Sequence, residues 1–379
     1  MKIINVVGAR PNYMKVAPII REMKRYRSIT PILVHTGQHY DWNMSEAFFR
    51  DLAMPDPDIH LEVGSCARVA QIEKIRERFD RVLEKEKPDL ILVVGDVNST
   101  LACAQSAHES GIRVAHVEAG LRSFDMTMPE EINRIKTDKI SDFLFTTCEG
   151  ADWNLAQEGI DAKKIFFVGN VMVDSLFNSI NKIESNRPTG QWFDKLTISR
   201  TIPSGVEGPA NWPTDYAVVT LHRPSNVDNK DVFERISQAL KKIAEDIPVI
   251  FPVHPRTKKQ IDAFGFDRYY EDNITLADPM GYLDFLRLYS AARFVMTDSG
   301  GIQEETTVLD IPCLTIRENT ERPITIERGT NILVGTVRDA IVREARKILR
   351  GDRKRKQELK YWDGAAAERI VKVLMGKLV

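Results

Sequence analysis

Four acids in the first half of the chain are placed to do proton chemistry: Asp96, Glu118, Glu130 and Glu131. Asp96 and Glu118 each close a short apolar run, residues 90–94 and 114–117, that reads as a strand. Neighbouring strands would raise both carboxylates at one crevice. Carboxylates held near one another differ in pKa, which lets one serve as acid and another as base. Glu130 and Glu131 precede Asn133 and Arg134 on a helix expected to start at Pro129, and acids in a first turn also favour the helix dipole on their own account. No two of these four acids show the short spacing of D-x-D, so a metal site is disfavoured and none is expected.

A second kind of chemistry is written in MTDSGGIQEE, residues 296–305. An apolar run ends in Asp298 and Ser299, then Gly300 and Gly301, then a stretch that opens a helix. Paired glycines let backbone approach a ligand, and the helix N-terminus suits phosphate. Ser299 adds a hydroxyl. Glu304 and Glu305 are unusual neighbours for an anion unless one reaches a sugar hydroxyl, as in dinucleotide-binding folds. Arg10, held in a turn by Pro11 after the first apolar run, is another anion contact, with Lys15 about one helical turn later.

The elements that must position these groups alternate. Strands are expected at residues 3–7, 32–34, 90–94, 114–117, 143–146 and 165–168, then at 216–221, 249–253, 274–276, 294–296, 313–316 and 331–334, with helical stretches between. Short apolar strands separated by helices predict an α/β chain with two parallel sheets covered on both faces. The expected boundaries are a first domain at 1–177, a linker or long loop at 178–213, a second domain at 214–362 and a C-terminal helix at 363–379. Doubly wound sheets bind ligands beyond the carboxyl ends of their strands, so two such sheets facing each other would form a cleft. The strand ends are polar almost throughout, and His35, His39, His116, His222 and His254 lie at or near them, which points to ligand chemistry.

Composition excludes several classes. Lys and Arg number 53 against 54 Asp and Glu, which leaves no electrostatic footprint for nucleic acid. No apolar run reaches the about 18 residues that span a bilayer, so no membrane partner is expected. The 4 cysteines form no C-x-x-C pair, and scattered thiols without a signal peptide fit a reducing cytoplasm.

GARPNYMKVAP, GQHYD, GDVNST, HVEAGLRS, MPEEINR, VGNVMVDS, LHRPSNVDN, TDSGGIQEE and NTERP occur in that order from residue 8 to residue 323. Together they resemble the non-hydrolysing UDP-N-acetylglucosamine 2-epimerases. The resemblance implies a GT-B type fold, two Rossmann-like domains with a C-terminal helix returning to the first. It implies inversion at C2 of a UDP-linked N-acetyl sugar by elimination and re-addition of UDP, without metal or nicotinamide cofactor, in a homodimer. It carries catalytic roles to Asp96, Glu118, Glu130 and His222. Substrate contacts fall to Arg10, Lys15, Glu131, Arg134, His254, Ser299, Gly300, Gly301, Glu305 and Arg322, and a possible activator site to Gln38 and His39. Many members carry glutamate where this chain has Asn12 and Ser225, and often a second glutamine where it has Asp41. The other readings are an epimerase of a UDP-diacetamido uronic acid, a hydrolysing 2-epimerase, a GT-B glycosyltransferase and a non-catalytic nucleotide-sugar binder.

Overall fold

The computed structural model describes residues 1–37, 54–64, 66–185 and 213–378, apart from the side chains of Arg10 and Glu184. Gln38, His39, Asp41 and most of the expected linker therefore lie outside the described residues. The chain divides into two compact units: Met1–Ser179 together with Leu359–Val379, and Ile180–Glu358.

The first unit is a parallel sheet of β1 (Lys2–Val7), β2 (Thr30–His35), β3 (Ile59–His60), β4 (Leu90–Val94), β5 (Arg113–Ala119), β6 (Phe143–Thr146) and β7 (Ile165–Phe167). The strand order is 3-2-1-4-5-6-7, so the order reverses between β1 and β4. Leu-Ile-Leu-Val-Val of β4 is buried at every position, as a strand covered on both faces must be. The covering helices are α1 (Arg10–Met23), α2 (Arg68–Glu86), α3 (Asn98–Glu109), α4 (Pro129–Ile140) and α5 (Glu149–Gln157), with α6 (Val171–Ser185) carrying the chain out of the unit. Pro11 stands in the first turn of α1, where its missing N–H costs nothing. The short β3 was not expected from the sequence: two residues are too few to show a period, and β3 exists only through its pairing with β2.

The second unit repeats the plan with β8 (Ala217–Thr220), β9 (Val249–Pro252), β10 (Ile274–Ala277), β11 (Phe294–Thr297), β12 (Cys313–Thr315) and β13 (Asn331–Leu333). Its order is 10-9-8-11-12-13, with the reversal between β8 and β11. The covering helices are α7 (Pro224–Val227), α8 (Lys230–Ala244), α9 (Pro255–Phe264), α10 (Tyr282–Ser290), α11 (Gly300–Val308), α12 (Pro323–Glu327) and α13 (Arg338–Leu349). In α8, Phe233, Ile236, Leu240 and Ile243 recur at helical spacing and are fully buried. Asn229 starts this helix, its side chain accepting from the amides of Asp231 and Val232.

The last helix, α14 (Ala366–Leu378), belongs to the first unit and packs on α1. Its buried face is Ala366, Ala367, Ile370, Val371 and Leu374. Two polar anchors hold its start. Asp174 accepts from the amides of Ala366 at 3.2 Å and Ala367 at 2.9 Å, and the Trp362 indole N–H donates to the Thr147 carbonyl at 3.0 Å. Asp174 thus acts as an N-cap supplied from a distant helix. Loss of such a cap costs about 1 kcal/mol. Asp174→Ala is expected to speed hydrogen exchange at the α14 amides about five-fold while leaving β4 unchanged; unchanged exchange in α14 would show that the apolar face alone holds it.

Candidate functional site

In the first unit the site is built at the reversal between β1 and β4. The Asn12 side chain accepts from the amides of Gly8 at 3.1 Å and Ala9 at 3.0 Å, and donates to the Val94 carbonyl at 3.2 Å. One amide thus ties the turn after β1 to the end of β4. A glutamate here could not donate that last bond, so the departure at Asn12 has a structural use. Lys15, one turn along α1, is buried and forms an ion pair with Glu118, which is 0% exposed. Glu118 has φ +67 at a bulge in β5, where the register to β6 shifts between Val117 and Ala119. A left-handed glutamate is a strained residue and is kept only where its surroundings over-determine it.

Asp96 follows β4, which pairs with β5 in the sheet. Its carboxylate is gripped by the Arg134 guanidinium, and its carbonyl accepts from Asn133 at 2.9 Å. Gly95, which precedes Asp96, packs against the Lys15–Glu118 pair. It has φ +67, and a Cβ there would stand 3.2 Å from the Lys15 ammonium and 3.5 Å from Glu118. Glu131 is buried with its oxygens turned to the adjoining loop: it accepts from the amides of Ser123 at 2.9 Å and Phe124 at 3.0 Å and from the Ser123 hydroxyl. Glu130 stands exposed in the first turn of α4. Arg10 opens α1 directly after the β1 turn.

The second unit places its groups at the reversal between β8 and β11. Ser299 precedes α11, and Gly300 and Gly301 are its first residues. A Cβ on Gly300 would stand 2.6 Å from the Arg322 guanidinium, so glycine is required for that close approach. Arg322 itself is buried and contacts Glu304 at 2.9 Å and Glu321. Glu321 also meets Arg317 at 2.8 Å and Arg223 at 3.4 Å. Burial alone would raise the Glu321 carboxyl, but Arg322, Arg317 and Arg223 together hold it well below its ordinary range. Three guanidinium groups thus gather around Glu304 and Glu321 beside a helix N-terminus, a setting that suits an anion.

His222 follows β8 and is paired with Asp298 at the end of β11: Nδ1 lies 2.9 Å from the carboxylate. Asp298 also accepts the amides of His222 and Arg223 and the side-chain amide of Asn226. Burial opposes its ionisation, yet these contacts hold its carboxyl below the ordinary value. His254 caps α9, its Nδ1 accepting the Arg256 amide at 3.2 Å, with the His222 ring centroid 5.8 Å away. The Glu305 oxygens accept from the Tyr282 phenol at 2.8 Å and the Tyr289 phenol at 2.5 Å.

Sequence reasoning missed several groups. Asp298, Arg317 and Glu321 stand in polar strand ends already marked as unusual, so a signal existed. Asp138 and Glu158 gave none, since each lies in an ordinary helical stretch. His116 needs correction: it is not at a strand end but inside β5, fully buried, with its ring between Asp138 and the Gly95 carbonyl. Its place is explained by internal pairing, not by a ligand. Among the described residues no three His, Cys, Asp or Glu side chains gather as metal ligands.

Glu305 yields a pH prediction. Burial pushes its carboxyl from 4.5 up to about 7, against the pull of the two phenols. The folded chain therefore keeps a proton there that the unfolded chain releases near 4.5. This contribution favours the fold at low pH and is lost as pH rises from about 4.5 through about 7, by on the order of 3 kcal/mol. Glu305→Gln keeps the neutral shape. Its melting temperature, relative to wild type, should rise between pH 5 and pH 8; a relative fall would contradict the assignment.

With this geometry in place, comparison with known proteins is specific. A family model described as UDP-N-acetylglucosamine 2-epimerase matches residues 21–375. The UDP-N-acetylglucosamine 2-epimerase of Methanocaldococcus jannaschii is 42% identical over 378 residues, 99% of each chain. A crystal structure of the enzyme from that organism, in complex with UDP-GlcNAc and UDP, superposes with a TM-score of 0.87 at 41% identity, covering 99% of this chain and 100% of that one. The UDP-2,3-diacetamido-2,3-dideoxy-D-glucuronate 2-epimerase of Pseudomonas aeruginosa is 38% identical over 377 residues, 99% of each. A lipopolysaccharide outer core galactosyltransferase shares the fold alone, with a TM-score of 0.56 at 13% identity and all of both chains covered. The architecture is GT-B type, two Rossmann-like units, and the chain belongs to the UDP-N-acetylglucosamine 2-epimerase family.

Proposed function

We propose that this enzyme interconverts UDP-N-acetylglucosamine and UDP-N-acetylmannosamine by eliminating UDP to give a 2-acetamidoglucal and adding it back with the opposite configuration at C2. The observation that carries the reading is the pair of counter-charged carboxylates, Asp96 with Arg134 and Glu118 with Lys15, at adjacent strand ends. Such a pair suits proton transfer at a carbon rather than simple nucleotide binding.

The C2 proton has no neighbouring carbonyl to acidify it, so departure of UDP must drive its loss. The developing diphosphate charge needs preorganised support. The Ser299 hydroxyl, the amides of Gly300 and Gly301, the Arg322 cluster, Arg10 and His222 oriented by Asp298 supply it, with His254 beside them. Glu305 serves the ribose once its phenol partners are exchanged. Asp96, Glu118 and Glu130 take and return the C2 proton. Lys15 and Arg134 hold and orient two of these carboxylates, and Glu131 shapes the loop at Ser123 and Phe124. Elimination followed by addition leaves no net change of oxidation state. The enzyme works as a cytoplasmic homodimer in this reading. A second reading, epimerisation of a UDP-diacetamido uronic acid, is favoured by the Pseudomonas relative.

One experiment separates the alternatives: wild-type enzyme with UDP-N-acetylglucosamine alone in deuterated water, followed by proton NMR. The proposal predicts a stable mixture of two nucleotide sugars bearing deuterium at C2. Accumulating UDP with free sugar would reveal a hydrolase. No change with this sugar, but exchange on the diacetamido uronate, would establish the second reading, and no change with either would contradict both.

A further inference from the structure

Behind the two acids lies a network, buried except at Glu158, that the proposed reaction does not use directly. Asp138, on α4, is 0% exposed, and its two oxygens face opposite sides of the Glu118 bulge. Oδ1 lies 2.7 Å from His116 Nδ1, two residues before Glu118. Oδ2 accepts from the Gly120 amide at 3.2 Å, two residues after it, and from Arg122 at 2.7 Å. Arg122 donates in turn to Glu158 at 2.7 and 2.8 Å. The other His116 nitrogen, Nε2, lies 2.8 Å from the Gly95 carbonyl, which immediately precedes Asp96.

This arrangement dictates where the protons sit. A carbonyl oxygen only accepts, so Nε2 must donate to Gly95. The Asp138 carboxylate accepts on Oδ2 from two donors and, despite burial, is held below its ordinary value by His116 and Arg122. Its Oδ1 shares the remaining hydrogen bond with Nδ1, so the ring is held from both sides and tied through Asp138 to Arg122 and Glu158.

We propose that Asp138 is a positioning residue for the C2 chemistry: it grips β5 on both sides of Glu118 and, through His116, holds the carbonyl that precedes Asp96. One carboxylate thereby sets the spacing of two acids that arise from different strands. The strained φ of Glu118 has its cause here, since the strand is pinned at residues 116 and 120 and must bulge between them. The inference rests on the epimerase reading, in which Asp96 and Glu118 act on one carbon.

The test is kinetic and uses the full chain. In the C2 exchange assay Asp138→Asn should lower kcat about 100-fold with KM within about two-fold, because displacement of a reacting group by about 1 Å costs that much. If Asp138→Asn does not fold, His116→Gln, which loses the bond to Asp138, is expected to lower kcat about 10-fold. A wild-type enzyme inactive on both UDP-N-acetylglucosamine and the diacetamido uronate would overturn the functional reading. An active wild type with folded variants of undiminished kcat would overturn this inference alone.

Discussion

A charge buried beside a strand end is tolerable only when its counter-charge is built in next to it. The described parts of both units obey this rule where their sheets reverse order. Lys15 meets Glu118, Arg134 meets Asp96, and Glu321 is shared by three arginines. Removing one partner from such a pair leaves an uncompensated charge in a poorly solvated place, a loss far larger than that of an exposed salt bridge. The pairs are therefore poor stabilisers but strict constraints on geometry, which is what a reaction centre requires.

The two units spend that constraint differently. The first presents carboxylates steadied by single cations, an arrangement that can give and take protons. The second gathers guanidinium groups beside the N-terminus of α11 and allows Arg322 to approach through the missing side chain of Gly300. That suits a dianionic leaving group. The doubly wound topology makes both possible, since it delivers β1 and β4, or β8 and β11, to one end of a sheet with their loops diverging.

What could be read from the sequence followed the range of the responsible forces. Buried parallel strands are continuous apolar runs, so β4, β5, β8 and β11 announce themselves, and Pro129 marks the start of α4. Asp96, Ser299 and Gly300 were legible because strand ends carry few side chains with no local purpose. Partnerships between distant residues were not. Nothing near Asp138 indicates that it faces His116, 22 residues away in sequence, and nothing near Glu305 indicates that it faces Tyr282 and Tyr289. The internal position of His116 was misjudged for the same reason: a histidine in a strand looks like a ligand group until its buried acceptors are known.

The central claim is a division of labour, with diphosphate binding in the second unit and proton chemistry in the first. Asp96→Asn tests it most directly, by calorimetric titration with UDP beside deuterium exchange at C2 of the nucleotide sugar. The account predicts UDP affinity within about two-fold of wild type, as expected when uniform binding is untouched, and loss of exchange. Normal exchange in that variant, or loss of UDP binding in proportion to loss of exchange, would contradict it.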